Sequence, residues 1–295
     1  MNEIRLIALA ISHSAKKYKQ VPNMDEEKLA DAYNKALALE KAGDFEAAAI
    51  SYQEVLKLDP DDHGGASVRL ASMKMGAVPD KAPQSYIATL FDQHAEVFDK
   101  VLVDDLGYDV PSMSAGLLKS LNMNAFKHVL DLGCGTGLMG VQLEDISDEM
   151  IGVDLSENMV EIAYDRDIYE SLYVADVEDY LDENDEELFD LICAGDVLPY
   201  LGNVENFIKG ISDNLVTNGN TIFSTETLPD EEFLETGFTI GAHQRYAHKL
   251  AYIDAILKKY SLTILISQDI VVRHEQGKPI NGHLILAQKL KTRSK

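Results

Sequence analysis

The sequence predicts an α/β fold: a parallel sheet covered by helices on both faces, finished by an antiparallel hairpin and preceded by a small all-α segment. Three observations carry this. From residue 127 onward short apolar runs alternate with helical patterns: "HVLDLG" then "LMGVQLED", "EMIGVDLS" then "ENMVEIAYDRDIY", "SLYVADV", "FDLICAGDVL" then "VENFIKGISDNL", and "NTIFSTETL". After the helix-like "LAYIDAILKKY", the last two strand-rich runs, "LTILISQDIVVRHE" and "GHLILAQKL", are joined by "QGKPIN", a hairpin turn signal. Before residue 84 the apolar spacing is helical only.

In order along the chain, "IRLIALAIS" is too short for a signal-peptide core and follows an acidic Glu3, so it is expected to be an ordinary amphipathic helix. "EEKLADAYNKALALE" and "FEAAAISYQEVLKLD", separated by "KAGDF", predict a helical hairpin. Counted back from Pro60, Ala32, Ala36, Gly43, Ala48 and Tyr52 stand where a tetratricopeptide repeat places its small residues, turn glycine and aromatic, whereas Lys35 and Val55 depart from that pattern. "DDHGGASVRLASMKMG" reads as the first helix of a second repeat, ended by Pro79 and Pro83. One and a half repeats cannot bury their own apolar face, so they must lean on the α/β domain or on a partner. Over residues 84–103, Leu90, Phe91, His94, Val97, Phe98 and Val101 share one helical face. Pro111 and the Gly116 region then lead into the first strand. The expected division is a helical segment over 1–80 and an α/β domain over 81–295.

Net charge bounds the partners. At −24 the chain repels phosphate backbones and anionic headgroups, and no basic patch offsets this, so neither nucleic acid nor membrane is expected. Residues 141–190 hold nineteen Asp or Glu against a single basic residue, Arg166, a solvated face first and a docking surface for a basic partner second. Cys134 and Cys193 form no CxxC pair and no metal-ligand pattern, which suggests a reducing, cytoplasmic setting and no metal. No run approaches the roughly 20 apolar residues of a membrane span.

The chemistry concentrates in "VLDLGCGTG". Gly133, Gly135 and Gly137 follow the first strand, where missing side chains let the backbone turn and approach a ligand, and the helix after them presents free N–H groups. A dinucleotide loop uses the same physics, and GxGxxG can be forced through Gly135, Gly137 and Gly140, so the glycines alone decide little. Three acids decide more. Asp154 ends the second strand, where a carboxylate accepts from ribose hydroxyls; Asp176 ends the third, placed to accept from an adenine amino group; Asp131 would lie beside a positive group and would repel a pyrophosphate. Together they fit a cationic ligand without phosphate, such as S-adenosylmethionine.

On these motifs, residues 84–290 resemble a class I S-adenosylmethionine-dependent methyltransferase. "VLDLGCGTG" is similar to the family's first motif, "GVDLS" to its following acid and "FDLICAGDVLPYL" to its fourth-strand motif. "FDQHAEVFD" resembles the helix with which many small-molecule members cover the cofactor. With "RYAHKLAYI" and "RHEQGKPINGHLIL", the whole chain resembles methyltransferases that carry an N-terminal tetratricopeptide segment. The resemblance implies a doubly wound, Rossmann-like, seven-stranded sheet and S-adenosylmethionine as cofactor. It also implies Asp131, Gly133, Cys134, Gly135 and Gly137 around the methionine end, Asp154 and Leu155 at the ribose, and Asp176 and Val177 at the adenine.

The methyl acceptor should approach over the ends of the fourth and fifth strands, where a nucleophile must be aligned and its proton removed. That points to Asp196, also counted on the cofactor side, with Pro199 and Tyr200, and to Glu226 and Thr227. "GAHQRYAHK" is expected to be a substrate loop, with His248 as leading base, His243 as its alternative and Arg245 to hold an acidic substrate group. Arg273 and His274 sit on the hairpin, where they too can face the pocket. The expected activity is methyl transfer to a small molecule. A binding module that keeps the ligand without turnover, or a protein methyltransferase docking its substrate through the repeats, are the alternatives, with an NAD-linked oxidoreductase more distant.

Overall fold

The computed structural model describes residues 26–185, 188–233 and 235–291; the helix expected over "IRLIALAIS" lies outside them. The chain starts as a helical hairpin, α1 (Glu26–Lys41) and α2 (Phe45–Leu58). Gly43 takes the left-handed turn position (φ 79°), and Asp44 caps α2 by accepting from Ala47 N–H. Ala36, Ala48 and Tyr52 are fully buried between the helices, so the small and aromatic spacing read from the sequence is a packing pattern.

The expected third helix is cut to seven residues, α3 (Ala66–Ser72). The Asp62 carboxylate takes the N–H groups of Ala66 (2.6 Å) and Ser67 (2.9 Å) and so starts the helix late. Its two faces do different things: Ala66 and Leu70 complete the hairpin core, while Val68 and Ala71 pack against Tyr200, Phe238, Ile240 and Tyr246. The hairpin thus leans on the body of the protein, as its unburied face requires.

The covering helix is irregular: α4 (Gln84–His94), a 3-10 turn at Ala95–Val97 and a π-helical stretch at Lys100–Asp105. The Pro111 and Gly116 region is itself a helix, α5 (Val110–Ser120); Pro111 sits in its first turn, where a missing N–H costs nothing.

The sheet comes next as β1 (Phe126–Leu132), α6 (Leu138–Leu143), β2 (Ser147–Asp154), α7 (Glu157–Tyr164), β3 (Ser171–Val174), α8 (Val177–Glu183), β4 (Phe189–Ala194), α9 (Glu205–Asn214) and β5 (Leu215–Glu226). A short pair, β6 (Phe238–Ile240) with β7 (Tyr246–His248), precedes α10 (Leu250–Lys259), β8 (Leu262–Glu275) and β9 (Lys278–Lys289). Seven strands lie in the order β3-β2-β1-β4-β5-β9-β8, parallel up to β5 and antiparallel after it, the doubly wound sheet with a terminal hairpin. The hairpin turn is tighter than "QGKPIN": Gln276 and Gly277 alone make it, both at positive φ (50° and 75°), as a two-residue hairpin demands. Separate apolar cores fill the two faces, one around Leu130, Phe207 and Phe223, the other around Val129, Leu191 and Leu286. Among the described residues no helix is long and apolar enough to cross a membrane.

Candidate active site

Parallel strands end together, so the loops after β1, β2, β3 and β4 converge on one edge. A cavity of about 320 Å³ opens there, within the range of small-molecule sites. Its roof is the irregular helix: Leu90, Phe91, His94, Val97, Phe98 and Val101, the face read from the sequence, all line it.

Asp131 closes β1 at the cavity floor, fully buried. Its Oδ2 accepts from Tyr169 O–H (2.7 Å), while Oδ1 is buried with no hydrogen-bond partner. Burial pushes this carboxyl up to about 7, partly opposed by the Tyr169 hydrogen bond. Beyond it Gly133 (φ 65°) has no room for a side chain, since a Cβ would stand 2.4 Å from Val197 Cγ2. Gly133, Cys134 and Gly135 line the cavity, but Gly137 does not: as the left-handed residue before α6 it packs against Arg166 and Tyr169.

Asp154 and Leu155 line the cavity after β2. The Asp154 carboxylate accepts from Gly135 N–H (2.9 Å) and Ser156 N–H (2.8 Å), which ties the glycine loop to the next strand end, and burial raises its pKa. Asp176, with Val177, lines the third side. It also caps α8 by accepting from Glu178 N–H (2.9 Å), and Lys81 Nζ stands 3.5 Å from its other oxygen.

Over the ends of β4 and β5 the chemistry changes to interlocked charges. Arg245 donates from Nε to Glu226 (2.7 Å), from Nη1 to Tyr200 Oη (2.6 Å) and from Nη2 to Asp196 Oδ2 (2.5 Å). Arg273, 2% exposed, donates to Glu226 (2.7 Å) and to Glu275 (2.6 Å), and His243 Nδ1 lies 2.7 Å from the other Glu275 oxygen. Tyr200, Asp196, Arg245, Arg273 and Glu275 line the cavity; Glu226 stands behind the two arginines. Burial and the adjoining Asp196 raise the Tyr200 phenol beyond its ordinary range.

His248 is not part of this wall. Expected as the base on a substrate loop, it falls on β7, whose pairing with β6 turns it into the protein interior. There it contacts Gly202 O through Nε2 (3.1 Å) and stacks on Tyr252, and burial lowers it to about 4. His243 reaches the site only through Glu275. Arg245, expected to hold an acidic substrate group, already has all three nitrogens on the protein's own acceptors. Among the described residues no group of three or more His, Cys, Asp or Glu could hold a metal ion.

Sequence reasoning missed Tyr169, Glu275 and the latch of the roof. Asp99 accepts from Thr136 Oγ1, in the glycine loop, and from Arg166 Nη2 (2.5 Å), whose Nε donates to Thr136 O; Asp92 accepts from Ser156 Oγ (2.5 Å). The two aspartates lie seven residues apart in "FDQHAEVFD", the one signal that could have shown them.

Comparison with known proteins agrees with this geometry. An uncharacterized protein of Haemophilus influenzae is 33% identical over 144 residues, 46% of this chain and 56% of its own length. A ubiquinone biosynthesis O-methyltransferase of Coxiella burnetii is 30% identical over 103 residues, 34% of this chain and 43% of its own. The chain spans about half the length of these curated relatives. Among solved structures, the N-methyltransferase NodS of Bradyrhizobium japonicum WM9, in complex with S-adenosyl-L-homocysteine, has the same fold: TM-score 0.55 at 19% identity, covering 70% of this chain and 99% of that one. A family model described as "Methyltransferase domain" matches residues 129–219, from the first strand through the acids that floor the cavity and into the fifth strand. Over those residues the chain is similar to that domain.

Proposed function

We propose that the protein is an S-adenosylmethionine-dependent methyltransferase that acts on a small-molecule acceptor. The observation that carries it is Asp131 Oδ1, a buried carboxylate oxygen without a partner in the cavity floor. A buried acceptor left unpaired is costly, and an ammonium or sulfonium group would relieve it, where a pyrophosphate would repel it. Asp131 with Gly133, Cys134 and Gly135 would hold the methionine end, Asp154 and Leu155 the ribose, Asp176 and Val177 the adenine. Gly137 would act from behind, by shaping the loop. When bound, the methyl donor supplies an electrophilic carbon; the chain's own task is to orient the acceptor, exclude water under the roof and take up a proton. The roofed, largely apolar cavity of about 320 Å³ and the small-molecule name of the Coxiella relative favour a small acceptor.

The chain would divide near residue 80 into a tetratricopeptide-like segment, which packs on the catalytic part and would serve to dock a protein partner, and a catalytic part over 81–295. The setting is cytoplasmic.

The test is calorimetric titration of the full chain and of Asp154→Ala with S-adenosylmethionine, S-adenosylhomocysteine and NAD. The parent should bind both adenosyl ligands and not NAD. Losing two charge-assisted ribose hydrogen bonds, each worth about 1.5–3 kcal/mol, should weaken both adenosyl ligands at least about 100-fold in the variant. NAD binding by the parent, with no adenosyl ligand bound, would sink the proposal.

A further inference from the structure

Across the sheet the strand ends present Asp176, Asp154, Asp131 and Asp196 in spatial order β3, β2, β1, β4. If the first three take adenine, ribose and methionine, the next position is the one the transferred methyl faces. Adjacent strands are about 4.8 Å apart, and Asp131 pairs in register with Cys193 of β4, so the loop that carries Asp196 leaves the sheet one strand spacing from the methionine end.

Asp196 is built unlike its neighbours. It is a non-glycine residue at φ 61°, held there by its own N–H donating to Ser224 Oγ (2.9 Å) and by Arg245 on Oδ2 (2.5 Å). Residues kept in that region by their surroundings cluster at functional sites. Its Oδ1 is buried with no hydrogen-bond partner, and Arg273 Nη1 stands 3.7 Å from it. The charge balance around it also has a sign. Two arginines face three carboxylates, Asp196, Glu226 and Glu275, with His243 beside Glu275; the arginines already donate to these carboxylates and to Tyr200, so a donor from the acceptor has a place at Asp196 Oδ1 and an anion does not.

Resting on the methyltransferase proposal, we infer that Asp196 Oδ1 is the proton acceptor of the reaction, and that the methyl acceptor is a nitrogen or oxygen bearing a hydrogen on an apolar body, not a carboxylate. The acceptor lone pair forms the bond to the methyl carbon; the carbon–sulfur bond breaks with its electron pair left on sulfur as a neutral thioether. The acceptor's proton goes to Asp196 Oδ1, which later returns it to solvent. Arg245 and Ser224 position the carboxylate, and Tyr200, T-shaped against Phe91 of the roof, walls the acceptor side.

The test needs no knowledge of the acceptor. Sinefungin carries an ammonium-bearing carbon where the sulfonium centre would be, so its N–H groups reach the place where the methyl faces the acceptor. Full chain and Asp196→Asn are titrated with S-adenosylhomocysteine and with sinefungin, and their melting temperatures recorded. The parent should bind sinefungin at least tenfold tighter than S-adenosylhomocysteine; Asp196→Asn should lose that preference while holding its S-adenosylhomocysteine affinity within threefold. A preference that survives in the variant overturns the inference. So does loss of both ligands in a variant that melts like the parent, because Asp196 would then serve methyl-donor binding itself. Should the variant melt early, the unsubstituted protein still decides: no preference for sinefungin rejects the assignment. A parent that binds neither ligand rejects the methyltransferase proposal instead.

Discussion

The two halves of the cavity are made in opposite ways. The half under β1, β2 and β3 is local in sequence: Asp131, the glycines, Asp154 and Asp176 fall within 46 residues, each at a strand end, and their partners are mostly backbone N–H groups. The half over β4 and β5 is assembled from afar, since Asp196, Glu226, Arg245 and the β8 pair Arg273 and Glu275 come from different parts of the chain and satisfy one another. Each half keeps one unpaired carboxylate oxygen, Asp131 Oδ1 in the first and Asp196 Oδ1 in the second, but the second spends its other charges on its own cohesion. Substitutions should therefore damage binding in the first half and, Asp196 Oδ1 apart, folding in the second.

The largest effect expected from that contrast is on stability. Arg245→Ala leaves Asp196 and Glu226 buried beside one partner too few, and breaking a buried ion pair from one side costs about 3–5 kcal/mol. Thermal denaturation should show it, whereas an unchanged melting temperature would mean the cluster is solvated and the contrast false. Next comes pH. Asp131 titrates near 7 when free, and a cationic ligand needs it ionised, so S-adenosylmethionine affinity should fall about tenfold per pH unit below 7. Asp131→Asn should flatten that profile. The sign for the free protein is opposite: a carboxyl raised from 3.8 to about 7 costs stability as pH rises through that window, because the unfolded chain releases the proton more readily. The smallest effect belongs to the roof. Asp99→Ala removes the latch to Thr136 and Arg166 but no cavity residue, and should speed S-adenosylhomocysteine dissociation about threefold in stopped flow, an exposed ion pair being worth under about 1 kcal/mol. A slower off-rate would show that the roof is not what retains the ligand.

The same contrast explains what could be seen in the sequence. Asp154 was legible because a strand period ends at it, Asp176 because it stands two residues past the third strand where a helix begins, and the glycines because the backbone after β1 must turn at positive φ. The sheet and its terminal hairpin were legible for the same reason of period. His248 was misplaced because proximity in "GAHQRYAHK" says nothing of the face a residue takes once β7 pairs with β6: Tyr246 and His248 go inside while Arg245, on the turn between the strands, reaches the cavity. Arg273 and Glu275 lie on one strand just past a register shift that buries Val272 and Arg273 side by side, and only the fold brings Arg273 to Glu226 at the end of β5. Tyr169 had no signal at all, being a single aromatic in a loop that reaches Asp131 across 38 positions.

A row of backbone contacts joins the front of the chain to this machinery. Gly202 and Asn203 N–H both donate to Asp80 O (2.8 Å each), Ala82 N–H donates to Tyr200 O (2.9 Å), and Tyr246 O–H donates to Pro79 O (2.9 Å). The stretch 79–82 is therefore a selvedge sewn to the loop after Asp196, and a chain cut there would leave buried backbone donors with nothing to hold. The boundary proposed near residue 80 is a change of sequence pattern and not a mechanical joint: the helices before it could be exchanged only by preserving the stitches.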